Sequence, residues 1–245
     1  MMSQKTVAVI QSNYIPWKGY FDIIHDADLF IFYDDIQYTK NDWRNRNKIK
    51  TDRGMMWLTI PVGTSLNRLI CEVEIEDRRW AKKHWHSLKQ WYGSAPYFHE
   101  YEPFLEEFYL RKTHRSLSDL NRQLIVSISR EFLGISTEFD DSCNFRLEGN
   151  KLERLICLLK KAGAARYISG PSAREYIDET RFKETGIELI YKDYSGYPEY
   201  PQLHPPFRHD VSILDLLFNA GPEAPLYIWG WREENRTGRR FHCPN

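Results

Sequence analysis

The chain has 245 residues, and its 34 basic and 34 acidic side chains cancel to a formal net charge of zero. That length admits one large domain, or one domain with an elaborated second lobe. The neutral balance argues against a general DNA or RNA binder, which is usually basic.

Thr6 to Gln11 is a short β-branched run and reads as a first strand. After a loop holding Pro16, Gly19 to Ala27 shows helical spacing of Tyr20, Ile23, Ile24 and Ala27. Leu29 to Tyr33 is nearly all apolar, as in a strand buried on both faces of a parallel sheet, and ends in Asp34-Asp35. A βαβ unit therefore fills the first 35 residues. Asn47 to Thr51 and Met55 to Val62, joined by Asp52-Arg53-Gly54, predict a hairpin, and Leu69 to Ile75 alternates like a further strand. Arg78 to Tyr92, Tyr97 to Arg111 and Leu117 to Phe132 have helical periodicity, with Gly93, Pro96 and Gly134 as punctuation. The α/β pattern then returns: a helix from Lys151 to Ala162, a strand from Arg166 to Ser169, a helix from Ala173, a strand from Glu188 to Lys192, and a helix from Val211 to Phe218 capped by Asp210 or Ser212. Tyr194 to Phe207 is rich in Pro, Tyr and Gly and reads as a covering loop. The expected fold is α/β, a Rossmann-like parallel sheet from residues 1–77 and 136–245, interrupted by a helical insert over 78–135. The insert and the covering loop are expected to wall the cleft at the strand ends.

Ligands of open α/β sheets bind beyond the carboxyl ends of the strands, and the residues delivered there form the candidate site. Gln11 and Asn13 follow the first strand and can each donate and accept, and Lys18 adds charge near the helix start; a Pro-fixed turn with Tyr14 and Trp17 packed as core explains the segment equally well. Asp34 and Asp35 close the second strand and point to opposite faces. One of them is expected to serve as base, orienter or metal ligand, and the other to cap or to pair with Arg44 or Arg46. Lys40, Trp43, Arg44 and Arg46 come next, in a stretch from Lys40 to Arg53 with six Lys/Arg against two Asp. Two guanidinium forks on one face suit a diphosphate or carboxylate, although solvated surface arginines explain them as well.

Ser169-Gly-Pro-Ser-Ala-Arg174 lies at a strand-to-helix junction, where backbone N–H groups accept phosphate. The string Ile168 to Arg174 looks like the Ile-Ser-Ser/Gly-Thr-x-x-Arg signature of nucleotidylyltransferases. Their His-x-Gly-His turn aligns with Trp17-Lys18-Gly19-Tyr20, which keeps the glycine and lacks both histidines. His84 and His86 lie two apart on a predicted helix and face different directions, so no metal is expected. Cys71, Cys143, Cys157 and Cys243 show no CxxC spacing and no obvious partners, as in a reduced chain. No apolar leader follows Met1, and no stretch approaches the roughly 18 apolar residues of a membrane span. The expectation is a cytoplasmic protein without a transmembrane segment.

Four segments, Gln11–Phe21, Tyr33–Ile49, Trp57–Val62 and Ile168–Tyr176, resemble the WbqC-like family, and the resemblance extends over nearly the whole chain. It implies an association with O-antigen and other surface-polysaccharide assembly, hence a nucleotide-linked or carrier-linked sugar as substrate. The expected activity is that of a transferase acting on such a sugar, with amide formation on an amino sugar as the leading reaction because N-acylated sugars are common in such polymers, and an acyl donor, an acyl-carrier partner or a nucleotide as its companions. In that reaction Asp34, Asp35 and Asn13 take the chemical roles, while Gln11, Tyr14, Lys40, Trp43, Arg44, Arg46, Ser169, Ser172 and Arg174 bind substrate. The alternatives are an ATP-using nucleotidylyl or adenylate-forming enzyme and a non-catalytic scaffold of a polysaccharide pathway.

Overall fold

A computed structural model describes residues 4–175 and 177–232. Tyr176, Cys243 and the last stretch of the expected core, 233–245, lie outside the described residues.

Five strands form one sheet: β1 (Thr6–Ile10), β2 (Leu29–Phe32), β5 (Glu138–Asp141), β6 (Arg166–Ser169) and β7 (Glu188–Tyr191). All pairings are parallel and the spatial order is β5-β2-β1-β6-β7. Counted along the chain, that is the order 3-2-1-4-5 of a Rossmann-like fold, and its switch point lies between β1 and β6. β1 pairs in parallel with β2 in the register Val7↔Leu29, as the compact βαβ reading requires. Alternation divides the core in two. Ala8, Phe30 and Phe32 pack with α1 (Lys18–His25) on one face, while Val7, Val9, Leu29 and Ile31 pack with α5 (Lys151–Lys161) and α6 (Glu179–Thr185) on the other.

The segment 78–135 folds as three helices, α2 (Arg79–Tyr92), α3 (Phe98–Glu106) and α4 (Leu117–Ser127); the last two are prolonged by wider π turns to Arg111 and Phe132. Ser116 caps α4 through its hydroxyl, and Leu117, Leu120, Leu124 and Ile125 form its apolar stripe. This layer shares one continuous core with α1 and with α7 (Ile213–Ala220). β3 (Arg46–Thr51) and β4 (Gly54–Thr59) make a separate antiparallel hairpin, turned at Asp52-Arg53 with Gly54 at φ 105°.

Three expected elements differ. Leu69 to Ile75 carries a 3-10 turn, Ile70–Glu72, and isolated bridges instead of a strand, because its backbone is divided between Gln37 and Ser116. The helix expected from Ala173 is a 3-10 turn over Pro171–Glu175; α6 starts later, capped by the Asp178 carboxylate. The edge strand β5 had no counterpart in the reading of the sequence. No helix among the described residues is long and apolar enough to cross a membrane.

Candidate functional site

β1 and β6 diverge at the switch point, and a cavity of about 850 Å³ opens there. Gln11, Asn13 and Trp17 from the β1–α1 loop line one side, and Ser169, Gly170 and Ser172 beyond β6 line the other. Tyr194 of the covering loop meets the Trp17 ring edge-on, with centroids 4.9 Å apart, and also lines the cavity. Tyr33 and Lys151 complete the polar wall, and Lys151 is its one charged residue among the described residues. Lys151 holds φ 46° at the start of α5, where Asn150 makes no side-chain cap.

A second cavity of about 250 Å³ adjoins the first, because Asn13 and Trp17 line both. Its other walls are Pro16, Trp43, Asn47 and Asp210.

The β1–α1 loop is held from beneath. Asp34 is fully buried, and its carboxylate accepts the Ser12 N–H at 2.8 Å, the Ser118 hydroxyl, and Arg122 Nε at 3.2 Å. Arg122 also pairs with Asp141. Asn121 donates to the Arg44 carbonyl at 2.8 Å and approaches the Ser12 hydroxyl at 3.4 Å. Asp35 faces the other way, accepting the Ser142 hydroxyl at 2.5 Å and pairing with Arg154. The carboxylates thus diverge as expected, but their cationic partners are Arg122 and Arg154 from α4 and α5, not Arg44 or Arg46. Both act on the loop and strand ends from behind, and neither lines a cavity.

Arg44 donates to Asn13 Oδ1 and lies 3.5 Å from Asp42. Burial pushes the Asp42 carboxyl up, but the Arg44 charge and the Thr39 hydroxyl outweigh it, and the net displacement is downward. Arg46 donates to the Asn41 carbonyl at 2.5 Å and lies over the Trp57 ring at 4.3 Å. The two arginines therefore do different work, one orienting Asn13 and one covering an indole. Lys40 is exposed and lines neither cavity, and Trp43 lines the smaller one. Tyr14 is fully buried, its hydroxyl 2.6 Å from that of Tyr109 and 2.9 Å from His84 Nδ1. It anchors the loop into the helical layer and presents nothing to either cavity. Ser169 and Ser172 line the large cavity; Arg174 lies instead over the Tyr191 ring at 4.7 Å. With Ser172 inside a 3-10 turn, the helix N-terminus expected at Ser169–Arg174 is not formed.

The helical layer supplies no lining residue to either cavity, so it supports the cleft without walling it. Lys151, Tyr33, Arg122 and Arg154 went unnoticed in the sequence. Gly149-Asn150 before a strong amphipathic run was the one local signal for Lys151. Asp22, His25 and Asp26 form an acidic group of metal-ligating spacing. Lys192 at 2.8 Å and Arg232 at 2.5 Å already neutralise Asp22 there. Cys71, Cys143 and Cys157 are free thiols, and burial pushes the Cys71 thiol up.

Among known proteins, the model of the WbqC-like protein family matches residues 11–227. The uncharacterized protein Rv1507c of Mycobacterium tuberculosis is 50% identical over 226 residues, covering 91% of this chain and 97% of that protein. No solved structure matches the chain.

Proposed function

The chain belongs to the WbqC-like protein family, and we propose that it is a transferase that binds a nucleotide-linked sugar at the switch point and modifies the sugar for surface-polysaccharide assembly, with amide formation on an amino sugar as its reaction. The observation that carries this reading is the cavity of about 850 Å³ whose single charged lining residue, among the described residues, is a lysine. Its volume falls within the roughly 300–1,000 Å³ of small-molecule sites, and its position is the one where open α/β sheets take nucleotides. Lys151 offers a counter-charge for phosphate, the touching rings of Trp17 and Tyr194 form one aromatic wall for a base, and the Ser169 and Ser172 hydroxyls supply hydrogen bonds.

In the amide-forming step the sugar's amine nitrogen bonds to the carbonyl carbon of an activated acyl donor such as a thioester, the acyl–sulfur bond breaks and the amine proton leaves with the thiol. The step needs donors for the developing oxyanion and ordered placement of amine and acyl group. Gln11 and Asn13 are the donors available at the cavity wall. Asp34 fixes them by holding Ser12 N, so its role is that of an orienter. Calorimetric titration with UDP, dTDP and their sugar conjugates tests the reading. Saturable binding that weakens when Lys151 is neutralised is expected, and no heat with any of them removes it.

A second reading, an ATP-using nucleotidylyl or adenylate-forming enzyme, is favoured by Ser169 and Ser172 of the signature-like string lying in the cavity wall. It requires pyrophosphate release with some nucleoside triphosphate. Absence of release across the four triphosphates and candidate sugars would discard it.

A further inference from the structure

The smaller compartment is too small for a nucleotide. At about 250 Å³ it lies below the usual range of whole-ligand sites, and it shares Asn13 and Trp17 with the large cavity. Whatever enters it is one end of a ligand whose other part lies beyond Asn13.

Its chemistry is mixed in a particular way. The Trp43 indole forms one wall and remains 41% exposed, held against Trp57 with ring centroids 5.4 Å apart. Trp57 has the Arg46 guanidinium on its face at 4.3 Å, whereas the cation over Trp43, Lys48 Nζ, stands 5.7 Å off, so Trp43 is the more open ring. Asn47 is spent: its amide donates to the carbonyls of Tyr14 and Ile15 at 3.1 and 2.8 Å, and its oxygen accepts Lys48 N–H. Asn13 is half spent. Arg44 donates to its oxygen, which fixes the amide orientation and leaves its N–H₂ group without a partner among the described residues.

Asp210 sits at the opposite edge, 3.1 Å from Lys48 Nζ and 2.8 and 3.0 Å from the Arg208 guanidinium. Arg208 first and Lys48 second hold its carboxyl down at about 2, against the opposing effect of burial. Two cations more than balance this carboxylate, so a third gains nothing there. Its remaining lone pairs suit uncharged hydroxyls. An apolar flat wall, one free amide donor and one charge-compensated acceptor are what a sugar ring needs, with its C–H face on indole and its hydroxyls at the rim.

We propose that this compartment is the sugar subsite of the nucleotide-linked ligand: a pyranose ring stacks on Trp43, donates hydroxyl hydrogen bonds to Asp210 and accepts one from the Asn13 amide. The assignment rests on the large cavity holding the nucleotide. It places the position to be modified at the Asn13 boundary and an uncharged, hydroxyl-bearing edge toward Asp210.

The test compares UDP and UDP-N-acetylglucosamine by calorimetry on the full chain. The N-acetylglucosamine conjugate should bind about tenfold tighter than UDP, as stacking plus a net hydrogen bond would give. Trp43→Ala and Asp210→Asn should each erase most of the gain while leaving UDP affinity within about twofold, and Trp43→Phe should restore part of it. Equal affinity for UDP and its N-acetylglucosamine conjugate, or a gain that persists in Trp43→Ala, overturns the assignment. If UDP itself does not bind, the nucleotide reading of the large cavity is what fails. The subsite then stands or falls on free methyl N-acetylglucosaminide. A saturable shift of the Trp43 indole N–H resonance at millimolar sugar supports it, and no shift refutes it.

Discussion

Asp34→Asn separates an orienting carboxylate from a catalytic one. In the folded chain one carboxylate oxygen accepts Ser12 N–H at 2.8 Å, and the other accepts Ser118 and Arg122 Nε, the latter at 3.2 Å. Asparagine keeps an oxygen for Ser12 and turns an N–H₂ group toward a guanidinium, which cannot accept from it. Breaking a buried ion pair from one side costs about 3–5 kcal/mol. Arg122 is 21% exposed and retains Asp141, which places the cost near the lower end, about 3 kcal/mol. For a chain of this size each kcal/mol lowers the melting temperature by about 2–4 °C, so a fall of about 6–12 °C is expected.

Because the Ser12 bond survives, Gln11 and Asn13 stay in place, and nucleotide affinity measured well below the melting temperature should change by less than about twofold. Asp35→Asn is milder: both Asp35 and Arg154 reach solvent, and about 1–2 kcal/mol is lost. Thermal melts beside calorimetry read both quantities. A mutant at position 34 that melts within about 1–2 °C of the parent yet loses binding or turnover would show that this carboxylate meets substrate, and its orienting role would be refuted.

Burial holds the His84 imidazole down from 6.5 to about 4. Between those values the unfolded chain takes a proton that the folded chain refuses, so stability is complete above about pH 6.5 and falls as pH drops through the window, by about 3 kcal/mol in all. Urea titrations at pH 7, 5.5 and 4.5 should show a smaller acid loss for His84→Gln, and parallel losses in both proteins would remove His84 as the cause. Lys151→Asn keeps a residue that tolerates φ 46° and removes the charge; UDP affinity should fall about three- to tenfold with the melting temperature unchanged. Arg44→Lys loses the fork that joins Asn13 to Asp42, so affinity for the sugar conjugate should fall more than affinity for UDP, at a stability cost of about 1–2 kcal/mol. Gly221 holds φ 53°, and a Cβ there would meet the Tyr97 ring at 2.4 Å. Gly221→Ala should therefore cost at least about 1–3 kcal/mol in denaturant titrations, and a neutral result would mean that Tyr97 moves aside freely.

The elements legible in the sequence are those whose apolar pattern is settled locally. β1 is β-branched and β2 continuously apolar; α5 has a stripe of Leu155, Ile156, Leu158 and Leu159 on one face and stops at Gly163, after which β6 follows. β5 was illegible for a related reason. Glu138-Phe-Asp-Asp141 has one apolar side chain because it pairs on one side only, with β2 at the edge of the sheet. An edge strand needs no apolar run, and nothing in its composition separates it from a loop. The Ile168–Arg174 string misled in the opposite direction. Its residues permit a helix start, but Pro171 and the later cap at Asp178 produce a 3-10 turn.

The site divides along the same physical line. Position at a strand end is a local property, so Gln11, Asn13, Ser169 and Ser172 could be placed at the switch point from the sequence. Partnership is not local. Asp34 and Asp35 stand beside a dense basic run, and proximity along the chain favoured Arg44 and Arg46. The cations that reach them lie 88 and 119 residues away, on α4 and α5. Helical side chains lean back toward the N-terminal end of their helix, which here brings both guanidinium groups to the strand ends, whereas the hairpin carries Arg46 away to Trp57. Of residues 40–47, Trp43 and Asn47 therefore serve the smaller cavity and Arg44 the orientation of Asn13, while the lining charge of the larger cavity is Lys151, in a segment with no basic cluster to advertise it. One lysine in an otherwise uncharged wall has no competing partner there, so its field is directed at whatever anion enters.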